Sequence, residues 1–134
     1  RDCLLSRGLG DVYKRQHIID RIEDKDRVGV CIDTCHAYTS GYDMVSQEVY
    51  DKTWRDFDSV IGMKYLCGMH LNDTMKNLGS KIDRHASLFT GNLKEEFWRR
   101  LMNDPRMDGI PLILETPNEE IWSEEIRQLY AMID

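Results

Sequence analysis

The sequence predicts an α/β fold with a parallel sheet, and three apolar runs alternating with helical patterns predict it. Val28-Gly-Val-Cys-Ile-Asp33, Tyr65-Leu-Cys-Gly-Met-His70 and Ile110-Pro-Leu-Ile-Leu-Glu115 each have the length of a buried strand. Each also closes on a residue that can bind a metal. Strict alternation of strand and helix implies right-handed βαβ crossovers. In such sheets the carboxyl ends of the strands hold the chemistry. Asp33, His70 and Glu115 are therefore read as one site built from three strand ends.

Residues 1–16 show no periodicity and resemble a translated sequencing adapter, so they are read as a non-native, disordered segment. Ordered structure is expected from about His17, with residues 17–134 as the folded part. Ile18, Ile19 and Ile22 suit the last turns of a helix, and Glu23 to Arg27 a charged turn into the first strand. A loop containing Gly41 follows that strand. Tyr50, Trp54, Phe57 and Ile61 then mark one face of a helix ended by Gly62. After the second strand, a long polar loop from His70 to Gly91 holds Asp83-Arg84-His85, and loops of that length in compact domains tend to be functional or disordered. Asn92 and Glu95 resemble a capping box opening a helix with Leu93, Phe97 and Leu101 inward and Pro105 beyond its end. The third strand leads to a last helix whose apolar face reads as Trp122, Ile126, Leu129 and Ile133.

Composition narrows the function classes. The chain has 134 residues and a net charge of −6, which argues against a broad basic surface. Without residues 1–16 there remain 14 basic and 22 acidic residues, a net −8. Divalent cations bound to an acidic site would change that balance locally. No run approaches the roughly 18 apolar residues of a membrane span. Four cysteines without dense spacing suit reduced core thiols in a cytosol better than a disulfide scaffold, so the expectation is a soluble, cytoplasmic protein.

Asp33-x-x-His36 or Asp83-x-His85 taken alone is weak, since either Asp can simply cap a turn. Convergence is what changes the weighing: Asp33, His36, His70, Asp83, His85 and Glu115 all lie at strand ends or in the one long loop. Imidazole with carboxylate suits Zn²⁺, Mn²⁺ or Fe²⁺. Cys31 and Cys35 offer a competing zinc set with His36, against a role as small buried fillers. Met63, Met69, Met75, Met102 and Met107 read as packing, and Trp54, Trp98 and Trp122 as structural. There is no glycine-rich phosphate loop before a helix and no defensible Ser/His/Asp set.

Gly29-Val-Cys-Ile-Asp-Thr-Cys-His36, Met69-His-Leu-Asn-Asp73, Asp83-Arg-His85 and Leu114-Glu-Thr-Pro117 occur in the order and spacing of one family. From residue 17 onward the chain resembles the C-terminal half of the endonuclease IV (deoxyribonuclease IV) family of zinc-dependent apurinic/apyrimidinic (AP) endonucleases. The resemblance implies the last three βα units of a (β/α)8 TIM barrel of xylose-isomerase-like fold. The barrel is incomplete here, because a whole one takes roughly 250 residues. It also implies a base-excision-repair hydrolase that cuts double-stranded DNA 5′ to an abasic site and leaves a 3′-hydroxyl. Three zinc ions are implied in the complete enzyme. His36, Asp83 and His85 match the whole ligand set of one, and Asp33, His70 and Glu115 match three ligands of a second. The remaining ligands fall on strands this chain lacks, so the chain alone is expected to be inactive. Asp33 and Glu115 are the residues implied at the reacting centre, and Lys76, Lys81 and Arg84 are candidate DNA contacts. The complete enzyme is expected to be a monomer. Two departures stand out: Met75 holds a position usually Lys, and Phe89-Thr90 replaces a glycine-containing turn. The alternatives are a xylose-isomerase-like sugar isomerase or epimerase using a divalent metal, and a nonfunctional truncated product. The Asp83/His85 pair beside His36 argues against the isomerase, because isomerising a sugar needs no third metal site.

Overall fold

The structure, a computed structural model, describes residues 2–4 and 12–134, with side chains from residue 16 onward. Four parallel strands form a single sheet in chain order: β1 (Asp2–Leu4), β2 (Val28–Asp33), β3 (Leu66–Leu71) and β4 (Leu112–Leu114). The three strands expected from the apolar runs are β2, β3 and β4. The helices are α1 (Val12–Arg21), α2 (Thr34–Thr39), α3 (Gln47–Val60), α4 (Lys94–Met102) and α5 (Trp122–Tyr130). The fold is thus α/β, an open part of a barrel and not a closed one.

Alternation along β2 divides its side chains between two faces. Val28, Val30 and Ile32 join the core under the helices, with Met69 and Leu71 of β3, Trp54 and Phe57 of α3, and Phe97, Trp98 and Leu101 of α4. Their aromatic rings meet edge to face, Phe97 and Trp98 at 4.8 Å between centroids and Trp54 and Phe57 at 5.8 Å. On the opposite face the strand register aligns Asp33 with His70, and His70 with Ile113. That row brings the polar strand ends together. Gly29 lies against the Cys67 side chain on the neighbouring strand, a position at which any Cβ would collide.

Four expectations are revised. Helix α1 starts at Val12, ahead of His17, and Asp2–Leu4 pair with β2; a sheet edge presents a full row of unpaired backbone groups, which a short segment satisfies without any apolar pattern. The loop expected after Asp33 is instead helix α2, capped by the Asp33 carboxylate accepting from the His36 amide at 2.9 Å. Asn92 makes no capping box. Its side chain donates to the Lys76 carbonyl at 2.9 Å, and Leu93 occupies the N-cap position of α4. On α5 the buried residues are Glu125 and Leu129, with Met132 buried just past its end, while Ile126 and Ile133 of the expected apolar face are exposed among the described residues. Phe89 takes a left-handed φ of 67° at the place where the resemblance leads one to expect glycine; its ring packs edge-on against Trp98 at 6.0 Å.

Candidate metal centre

Asp33 ends β2, is nearly fully buried, and stands at the middle of the site. Its Oδ1 caps α2, which turns His36 back over the sheet, with His36 Nδ1 4.0 Å from that oxygen. Its Oδ2 accepts from the Asn72 amide at 2.8 Å and lies 3.9 Å from His70 Nδ1 and 3.6 Å from His85 Nε2. Two sets of ligand atoms converge within 4.8 Å among the described residues, Asp33/His36/His85 and Asp33/His70/Glu115. Asp33 belongs to both.

Asp83, more exposed than the rest, approaches the first set from the long loop. Its Oδ1 is 2.8 Å from His36 Nε2 and 3.7 Å from His85 Nε2. Glu115 follows β4 on the same face as Ile113, and its Oε2 is 2.9 Å from His70 Nδ1. The sequence-selected residues Asp33, His36, His70, Asp83, His85 and Glu115 therefore stand side by side, although 82 positions separate the first from the last.

The donor set can be tested against a metal. Ligands of one tetrahedral zinc at 2.0–2.2 Å lie about 3.4 Å apart. The His85 Nε2 contacts at 3.6 and 3.7 Å are too long for hydrogen bonds but suit a shared ion. Consistently, His85 Nε2 is buried without a hydrogen-bond partner among the described residues, a situation native proteins avoid unless a further group completes it. The residues fit zinc.

The loop bearing Asp83 and His85 is held at several points. Asp73 accepts from the amides of Thr74 (2.7 Å), Gly91 (2.9 Å) and Leu93 (3.2 Å), and its backbone exchanges two hydrogen bonds with Ala86. Burial raises the Asp73 carboxyl above the usual range, and those three amides pull it back only in part. Gly91 must be glycine for this contact, since a Cβ would collide with the Asp73 carboxylate. Glu125 clamps the site from α5: Oε1 accepts from the Leu88 amide at 2.7 Å and Oε2 from the Thr116 hydroxyl at 2.6 Å. Those bonds tie the His85 loop to the segment after Glu115. Sequence reasoning does not select Asn72, Asp73 or Glu125 as working residues; for the first two the signal is present, as the Asn-Asp of the His70 motif.

Cys31 and Cys35 are both buried. Burial pushes the Cys35 thiol up to about 11, and its Sγ lies 3.5 Å from the Arg84 carbonyl. A thiol so held is a filler and not a thiolate ligand. Among the proposed DNA contacts, Lys81 and Arg84 are exposed and Lys76 is half-buried. Their backbones are fixed, Lys81 donating to the Thr39 carbonyl at 2.8 Å and Arg84 accepting from the Thr74 hydroxyl at 3.0 Å.

Residues 7–132 match the family described as xylose isomerase-like TIM barrel. The probable endonuclease 4 of Phocaeicola vulgatus is 54% identical over 119 residues, covering 89% of this chain and 42% of that protein. The crystal structure of endonuclease IV from Thermus thermophilus superposes with a TM-score of 0.72 at 33% identity, covering 87% of this chain and 42% of that one. The chain thus spans less than half the length of these relatives. No helix among the described residues is long and apolar enough to cross a membrane. By motif, fold and family match, the chain belongs to the endonuclease IV family of xylose isomerase-like TIM barrels.

Proposed function

We propose that this chain is the C-terminal part of a zinc-dependent AP endonuclease, which hydrolyses the phosphodiester 5′ to an abasic site in double-stranded DNA and leaves a 3′-hydroxyl. The observation that carries the reading is the Asp33 carboxylate standing between two convergent ligand sets at the strand ends. His36, Asp83 and His85 would hold one zinc. Asp33, His70 and Glu115 would contribute to a second, and the rest of a three-zinc centre would come from residues outside this chain. Bound zinc supplies stabilisation of phosphate charge and a lowered pKa for water.

The chain's own residues do the placing. Asp33 fixes His36 through the helix cap, and Glu115 holds His70 through its Nδ1. The exposed Glu115 carboxylate is also the group placed to take a proton from an attacking water. Lys76, Lys81 and Arg84 lie on the loop that carries Asp83 and His85, which puts positive charge where a phosphate backbone would run. Such contacts carry no sequence information, as suits an enzyme that recognises a missing base. In this proposal the complete protein is a cytoplasmic monomer and the chain alone is inactive.

The test uses the complete protein on a duplex with one abasic site. Cleavage 5′ to the lesion, dependent on zinc and leaving an end that a polymerase extends, is the expected result. Isomerisation of a sugar without strand cleavage would overturn the reading.

A further inference from the structure

Asn72 is fully buried, yet it belongs to neither ligand set and to no apolar cluster. It stands two residues beyond His70, on the same face of the sheet by alternation. Its backbone is held in both directions by one side chain: the Thr34 hydroxyl donates to the Asn72 carbonyl at 2.7 Å and accepts from the Asn72 amide N–H at 2.9 Å. Thr34 is the residue next to Asp33. With the backbone so locked, the Asn72 amide nitrogen donates to Asp33 Oδ2 at 2.8 Å. The other oxygen, Oδ1, accepts from the His36 amide N–H. The Asp33 carboxylate is therefore fixed by a donor on each oxygen, while both ligand sets still reach it.

The Asn72 amide has only one workable orientation, because turning it would bring Oδ1 against the carboxylate. In the orientation seen, Oδ1 is buried with no hydrogen-bond partner among the described residues. A buried amide left half-satisfied costs stability. That cost makes little sense for a residue serving the fold alone, since an apolar side chain would fill the space without it.

We propose that Asn72 is a positioning residue of the metal centre. Its amide fixes the plane of the Asp33 carboxylate and so sets the zinc affinity of the site formed with His70 and Glu115. The inference rests on the zinc reading above. Groups that orient a ligand typically change metal affinity by about 10- to 100-fold when lost.

The experiment measures zinc affinity of the complete protein by competition with a chromogenic chelator, for the parent and for Asn72→Ala, Asn72→Leu and His85→Ala. Leu keeps the branching of Asn without its donor. Both Asn72 variants should keep the parent's circular dichroism and melting temperature in the metal-free state. They should weaken zinc by about 10- to 100-fold at the Asp33, His70 and Glu115 site, whereas His85→Ala should weaken the site of His36 and Asp83. Affinities within threefold of the parent, weakening confined to the site of His36, Asp83 and His85, or failure of both Asn72 variants to fold would each overturn the proposal. A parent protein that takes up no zinc would overturn the zinc reading itself, and is told apart because no variant is needed to see it.

Discussion

Glu115 and Asp33 do different work with the same functional group, and burial separates them. Asp33 is buried, with a hydrogen-bond donor on each oxygen, which suits a fixed ligand. Glu115 is 44% exposed and meets His70 through one oxygen, which leaves the other available to water or substrate. Glu115→Gln keeps the shape and removes the charge. In the complete protein with excess zinc it should lower abasic-site cleavage by at least about 100-fold, the upper end of what losing a supporting group costs. Duplex affinity in a gel shift should change little, since phosphate contacts elsewhere supply most of it. Cleavage within threefold of the parent would remove Glu115 from the chemistry. The six ligand candidates were legible in the sequence because strand ends and one long loop concentrate them. Asn72 stood in the His70 motif, but its role was not legible, because a buried hydrogen bond between residues 39 positions apart leaves no periodic trace; Glu125 was not legible at all. Glu125 was further hidden by the stronger apolar stripe on its own helix.

Helices α3 and α4 are joined by a second polar cluster, which shares no residue with the candidate metal centre. Asp104, just past α4, accepts from the Tyr50 hydroxyl of α3 at 2.7 Å and from Arg106 Nη2 at 2.7 Å, and the Arg106 guanidinium lies 5.6 Å from the Tyr50 ring centroid. Burial alone would raise the Asp104 carboxyl. The hydrogen bonds from Arg106 and Tyr50 outweigh it and hold the group below the usual carboxylate range. A carboxyl depressed in the folded state stabilises above its unfolded value and loses that contribution as pH falls through the folded one. Asp104→Asn should therefore lower the melting temperature of the complete protein at neutral pH. The gap from the parent should hold down to about pH 4 and close in more acidic solution. A gap constant with pH would mean that the charge contributes nothing. At this scale, helix existence was readable from spacing for α3 and α4, whose expected faces are the buried ones. Short α2 escaped, because its formation depends on a single cap by Asp33 and on burial of Cys35 and Ala37 beneath it.

The molecule as a whole is an open sheet with two edges, β1 and β4. Ile113, in the row that carries Asp33 and His70, is 49% exposed, and Ile126, Tyr130 and Ile133 of the last helical segment are exposed with it. Barrels remove edges by closing. The chain expressed alone should therefore self-associate and melt without a sharp transition. A monodisperse monomer with a cooperative melt would contradict this. The parallel α/β architecture was legible from alternation of runs and helical patterns, and the barrel from the four motifs. The pairing of Asp2–Leu4 was not, since edge pairing is a property of the β2 backbone and not of those three side chains. The central claim is that these strand ends form part of a multi-zinc centre, and zinc stoichiometry of the purified complete protein tests it most directly. The complete protein should hold three zinc ions per chain, falling to two in His85→Ala with the fold retained; a parent stoichiometry of one or none, or a His85→Ala protein that keeps all its zinc, would contradict this.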